Sequence, residues 1–161
     1  MAQETPKNLQ IDEKDLAILG ILQEDARTPF LEIARKTGLS NATIHERVTR
    51  MRENGVIRGF KTDIDEKKLG YGVLALIGLT LAHPVDNLEK FNRQIAKIPG
   101  VLQVYHVTGE SDTILVARAR SIDELKELLV ENIQHLATIT RINTMIVLDN
   151  PVNRFNILQL K

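Results

Sequence analysis

The sequence predicts an α+β protein in two parts, a short helical part followed by a part that mixes strands and helices. Three observations carry that expectation. Apolar residues recur at helical spacing up to residue 53. After Gly72 the pattern alternates between strand runs and one-faced helices. A polar, glycine-bearing stretch separates the two textures. With 161 residues, 43% hydrophobic and 26% charged, the chain has a globular composition and apolar material for two small cores. Cores of that size are marginal alone, which favours an oligomer.

Each element follows from its residues. Leu16, Ile18, Leu19, Ile21 and Leu22 sit at helical spacing over 12–24, with Asp12 as N-cap. Gly20 within that helix is expected to let another helix approach closely. A second helix runs from about Pro29 to Thr37, where Gly38 ends it and Leu39 follows as a buried plug. Ser40 caps a third helix, Asn41 to about Glu53, which Asn54-Gly55 closes. The tight turn Thr37-Gly38-Leu39-Ser40 makes the last two helices a helix-turn-helix, with a generic three-helix bundle as the alternative.

Val56–Ile64 alternates like a strand, and Asp65–Gly72 is a connection, so 56–72 is expected to be a strand and hinge linker between domains 1–55 and 73–161. Beyond it the order is strand Val73–Ala82, helix Val85–Ile98, strand Val101–Val107, strand Thr113–Arg120, a Ser121-capped helix to about Gln134, and strand Ile139–Leu148. That βαββαβ order is the ferredoxin-like plan, which leaves one sheet face open, and sheet-to-sheet dimerisation is its natural cover. The tail from Asn150 carries Phe155, Ile157, Leu158 and Leu160, apolar residues in need of a surface.

Several classes of function drop out. No cysteine is present, which removes disulfides, thiolate nucleophiles and cysteine metal sites together. No apolar run is long enough to span a bilayer. The polar start Met1–Lys7 lacks a secretory apolar stretch, so a reducing cytoplasm is expected, with no membrane partner. His45, His83, His106 and His135 stand alone rather than at metal-ligand spacing, and Gly70-Tyr71-Gly72 lacks the third glycine of a dinucleotide fingerprint. Carboxylate pairs such as Asp63/Asp65 and Asp123/Glu124 fall in connections and helix first turns. No catalytic residue, metal site or cofactor is expected.

Charge is more telling in its distribution than in its total. The formal net charge is zero, yet residues 1–26 carry two cations against six anions and residues 27–61 eight cations against three anions. An acidic segment beside a basic one can present a basic face to phosphates while the whole stays neutral. In the third helix Ile44, Val48 and Met51 fall on the core stripe. The opposite face is Ala42, Thr43, Glu46, Thr49, Arg50 and Glu53, flanked by Asn41, His45, Arg47 and Arg52. These side chains suit a reader of the DNA major groove: Asn pairs with adenine, Thr meets a thymine methyl or a phosphate, Glu takes cytosine and Arg guanine. Ser40 can also meet a phosphate at the helix N-terminus. Arg47 flanks the core and fits a phosphate clamp or an intradomain ion pair as well as a base reader, and Arg58 and Lys61 lie where they could touch the backbone.

A second constellation is Val107-Thr108-Gly109-Glu110-Ser111-Asp112. A glycine between strands, followed by two carboxylates, offers amides to a carboxylate and acids to an ammonium, the needs of a free amino acid. The same residues also make an ordinary β-turn.

Taken together the segments resemble a family. Leu-Gln-Glu-Asp-Ala-Arg (22–27), Glu-Ile-Ala-Arg-Lys-Thr-Gly-Leu-Ser (32–40), Thr-Ile-His-Glu-Arg-Val (43–48) and Glu-Asn-Gly-Val-Ile-Arg-Gly-Phe (53–60) are similar to the Lrp/AsnC, or feast/famine, regulators. So are Lys-Leu-Gly-Tyr (68–71), Val-Thr-Gly-Glu-Ser-Asp (107–112) and Asn-Thr-Met-Ile-Val-Leu (143–148). The resemblance covers about residues 11–149 in order. It implies an N-terminal DNA-binding domain and a C-terminal RAM domain (regulation of amino-acid metabolism). It also implies dimers that often assemble into tetramers, octamers or larger discs, and a cytoplasmic, nucleoid-associated protein bound to promoter or operator DNA. An amino-acid effector between RAM domains is the one small molecule implied.

Carried over by position, the DNA-binding set is Ser40, Asn41, Thr43, His45, Glu46, Arg47, Thr49, Arg50 and Arg58. The effector set is Val107, Gly109, Glu110, Asp112 and Thr144. Two departures bear on the ligand: Thr113 stands where the family usually has an aromatic, and Ile142 where a second threonine is common. Three readings follow: an effector-modulated, sequence-specific transcriptional regulator; an effector-independent, chromatin-like DNA-binding protein; and an amino-acid-responsive partner of a metabolic enzyme.

Overall fold

In the computed structural model, residues 10–82, 88–136 and 138–152 are described. The chain divides into two compact units with the boundary between Asp63 and Ile64, inside the expected linker.

The first unit holds three helices, α1 (Glu13–Glu24), α2 (Phe30–Thr37) and α3 (Asn41–Glu53). The start of α1 is closed by a reciprocal pair, in which the Asp15 amide donates to the Asp12 carboxylate and the Asp12 amide to the Asp15 carboxylate. Pro29 precedes α2 as its N-cap. Gly38 ends α2 at φ +70°, a left-handed turn that favours glycine and sends the chain through Leu39 into α3. Ile18, Leu22, Ile33, Ala34, Ile44, Val48 and Met51 form the core, with Leu39 packed against it as expected.

The second unit is a four-stranded antiparallel sheet of β1 (Val73–Leu81), β2 (Val101–His106), β3 (Thr113–Ala119) and β4 (Ile139–Ile146), in the order β2-β3-β1-β4. With helices α4 (Leu88–Ile95) and α5 (Ile122–Glu127) this is the predicted βαββαβ order. Ala75, Ile77, Leu79 and Leu81 of β1 alternate into a core with Leu115, Ala117 and Ala119 of β3, Phe91 and Ile95 of α4, and Leu125 of α5. On the other face, Leu74, Leu76, Ile114 and Val116 are half-buried, and Tyr105 and Met145 are exposed. Among the described residues no helix is long and apolar enough to cross a membrane.

Three expectations are corrected. Val56–Ile64 forms no strand. Alternation suits a strand only where a neighbour supplies a hydrogen-bond ladder, and among the described residues this segment has none. Instead the Val56 and Ile57 amides both donate to the Met51 carbonyl, and Ile57 packs on the helical core. The last helix does not continue as α-helix to Gln134. It widens to a π-helical turn over Leu128–Ile133, with the Gln134 amide donating to the Leu129 carbonyl. Five residues per hydrogen-bonded step brings Ile133 back to the side of Leu128, so both are buried. Gly20 meets nothing within 4 Å at the place a Cβ would occupy, so it serves no close helix approach. The start of the helix predicted from Val85 lies outside the described residues, as do His83 and the tail's Phe155, Ile157, Leu158 and Leu160.

The open space beside Gly20 sets a prediction. Gly20→Ala should raise the stability of the helical unit by about 0.5–1 kcal/mol, because alanine loses less backbone entropy in a helix. Urea denaturation followed by circular dichroism measures it, and a loss of stability would show that the position does need to be bare.

Candidate nucleic-acid interface and effector loop

The chemistry of the first unit centres on a buried acid. Asp15 has no exposed surface, and it falls at i, i+3, i+7 with Ile18 and Leu22 on the core stripe of α1. An ionised carboxylate there needs cations and hydrogen bonds to offset its lost hydration. Arg47 Nη1 donates to Asp15 Oδ1 at 2.8 Å, and Arg50 Nη2 donates to Asp15 Oδ2 at 2.6 Å. Arg47 also donates to Asp12 at 2.7 Å. The Arg47 hydrogen bond, helped by the Asp15 amide, holds the Asp12 carboxyl below its ordinary 3.8. Hydrogen bonds to Asp12 and Asp15 raise Arg47 in turn.

These contacts sort the expected DNA-binding residues. Ser40 accepts from the Thr43 amide at 3.1 Å and shares a hydrogen bond with the Thr43 hydroxyl at 2.8 Å, so both residues fix the start of α3. Asn41, His45, Glu46 and Thr49 are exposed along α3, and Arg58 is exposed beyond it. His45 stands edge-on to the Phe30 ring, with centroids 4.5 Å apart. Arg47 takes the ion-pair alternative. Arg50, expected on the outward face, is turned into the same cluster, where its Nε is buried without a hydrogen-bond partner. Asp15 itself was missed as a site residue, although an acid on an apolar stripe is a readable request for a cation.

In the second unit the loop after β2 is tied tightly to β1. The Val107 amide donates to the Asp112 carbonyl at 3.0 Å, and the Asp112 amide to the Leu79 carbonyl at 2.9 Å. The Asp112 carboxylate accepts from the Leu81 amide at 2.8 Å. The Ser111 hydroxyl oxygen packs against Gly78, 2.6 Å from where a Cβ would lie, so a side chain there would have to turn that hydroxyl aside. Gly109 and Glu110 are exposed at the tip. A small cleft is lined by Gly78, Thr80, Glu110, Ser111, Arg141 and Asn143. Of the expected effector residues only Glu110 lines it. Thr144 pairs with the fully buried Ile77, so it points to the helix side of the sheet and does not join the cleft within one chain. Thr113, at the family's usual aromatic position, is buried and hydrogen-bonded to His106 Nδ1 at 3.1 Å; His106 Nε2 lies 3.0 Å from Asn92 Oδ1.

A helix-turn-helix with an exposed third helix, joined to a separate βαββαβ unit with a pinned loop, defines a DNA-binding protein with an added sensory domain. Residues 11–52 match the AsnC-type helix-turn-helix domain, and residues 74–157 match the Lrp/AsnC ligand binding domain. The regulatory protein AsnC of Haemophilus influenzae is 40% identical over 144 residues, covering 89% of this chain and 95% of that protein. The HTH-type transcriptional regulator FL11 of Pyrococcus horikoshii is 37% identical over 138 residues, covering 86% of this chain and 89% of that protein. The solved structure of Escherichia coli AsnC superposes with a TM-score of 0.84 at 35% identity, covering 90% of this chain and 97% of that one. The chain belongs to the Lrp/AsnC family, and it is a transcriptional regulator with a DNA-binding helix-turn-helix and a ligand-binding domain.

Two predictions follow from the acid cluster. Asp15→Asn leaves Arg50 without its anion and should cost the helical unit about 3 kcal/mol, read by urea denaturation; a change under about 0.5 kcal/mol, the scale of an ordinary surface substitution, would make the cluster incidental. Because the folded Asp12 carboxyl titrates below 3.8, its contribution is complete above that pH and disappears as the pH falls through the lower folded value. The stability gap between the wild type and Asp12→Asn should therefore shrink on acidification below pH 3.8 and stay level above it.

Proposed function

We propose that this regulator acts as a homodimer joined across the open sheet face, and that dimers assemble further into forms such as an octamer. An amino acid bound between two ligand-binding domains then shifts the affinity of α3 for operator DNA. The observation that carries this reading is the loop Val107–Asp112. Its backbone and the Asp112 carboxylate are pinned to β1, while the exposed Glu110 borders the cleft that Arg141 and Asn143 also line. Groups of both signs on a rigid support suit an ammonium and a carboxylate on one small molecule.

The half-buried Leu74, Leu76, Ile114 and Val116, with exposed Met145, support sheet-to-sheet pairing, since an open apolar face of this kind is stabilised by a matching face. Two-fold symmetry then sets the two copies of α3 on half-sites about one helical turn apart. The amino acid acts by binding one assembly state more tightly than another, and no further cofactor is required. Binding to the chromosome places the protein with the nucleoid in the cytoplasm.

Light scattering across the twenty amino acids, with fluorescence anisotropy on the protein's own promoter fragment, tests this. One amino acid is expected to change both assembly mass and DNA affinity, and Glu110→Gln to weaken that response about tenfold, the loss of one charged hydrogen bond. Tight DNA binding that no amino acid alters would sink the effector role.

A further inference from the structure

The outward ridge of α3 is acidic. At about 100° per residue, the buried Ile44, Val48 and Met51 share one side of the helix. The side opposite carries Ala42, Glu46, Thr49 and Glu53, all exposed, with Glu46 at its centre. No cation lies on this ridge. Arg50 is four residues after Glu46, where a helix commonly pairs the two charges. Its Nη2 instead goes to Asp15 at 2.6 Å, and Arg47 is held by Asp12 and Asp15. Among the described residues, none pairs with or hydrogen-bonds the exposed Glu46 carboxylate.

We propose that Glu46 is a base-selecting residue that chooses cytosine in each operator half-site and discriminates against other DNA. The inference rests on the reading that α3 enters the major groove. A carboxylate carried into a polyanion is repelled by phosphates, which offer it no donor, and loses its hydration. The groove floor offers exocyclic amino donors at cytosine N4 and adenine N6; the N7 acceptor beside adenine N6 repels a carboxylate, so cytosine N4 is the better compensation. Glu46 lies in the N-terminal half of α3, the part of a recognition helix that meets base edges, whereas Glu53 lies at the far end. The small neighbours Ala42 and Thr49 leave the carboxylate room to reach the floor. Because Asp15 withholds Arg47 and Arg50, the negative charge of Glu46 is not neutralised on the ridge. That makes it a penalty at sites lacking cytosine, smallest at adenine and largest where no amino group faces it.

Selection from a randomised duplex library, followed by anisotropy on the selected sites, tests the proposal with the full-length wild type, Glu46→Gln and Glu46→Ala. The wild type should enrich cytosine at one position per half-site, and replacing that base should weaken binding about tenfold. Glu46→Gln should move the preference at that position to adenine, which glutamine reads through N6 and N7. Glu46→Ala should flatten the position to within about twofold and tighten binding to random DNA, with the other positions unchanged. A gained preference for adenine is an effect that misfolding does not produce. Enrichment of the same bases by all three proteins overturns the role of Glu46. A wild type that enriches no motif overturns the groove reading itself.

Discussion

Asp15 and its two arginines are the constraint on which the DNA-binding unit depends. The unit's core is small, built from seven buried apolar side chains, and apolar packing alone tolerates rotation of a helix about its axis. A fully buried carboxylate does not. It must receive Arg47 at 2.8 Å and Arg50 at 2.6 Å, which lie three residues apart on one flank of α3. Any rotation of α3 that broke these contacts would leave charge buried without a partner, at a cost of several kcal/mol. The ionic contact thus sets which residues of α3 face outward. It converts two potential phosphate or guanine contacts into structure, leaving a ridge of Ala42, Glu46, Thr49 and Glu53.

A comparable economy shapes the sheet unit. β1 is paired on both sides, so its backbone positions the neighbouring strands and, through Leu79 and Leu81, the loop Val107–Asp112. Asp112 is spent on that anchoring. The loop's exposed chemistry therefore resides in Glu110, with Arg141 and Asn143 of the adjacent strand at the cleft. Thr144 faces the helices through its pairing with Ile77, and the period of two along a strand separates it from Asn143 next door. Thr144 therefore stands apart from the cleft that Asn143 lines.

What could be read from the sequence divides along the range of the interactions. The caps at Asp12, Ser40 and Ser121, the Gly38 turn, the core stripes of α1 and α3 and the βαββαβ order were all legible. Each depends on residues within a turn or two of one another, or on a simple period. Val56–Ile64 alternates without forming a strand because alternation describes a suitable segment and says nothing of the partner that must supply its hydrogen bonds. The π-helical turn was missed because Leu128 and Ile133 needed the sheet's position to decide the wider step.

The site shows the same division. By itself the sequence determined that α3 is a capped, amphipathic recognition helix and that Val107–Asp112 is a glycine-bearing acidic loop, because those properties follow from local spacing. Only the tertiary structure decided that Arg47 and Arg50 serve Asp15, some thirty residues away, that Asp112 is committed to β1, and that Thr144 and Glu110 occupy different places. The physical reason is that a charged side chain reaches for the strongest partner the fold brings near it. Which partner that is depends on contacts between elements far apart in the chain.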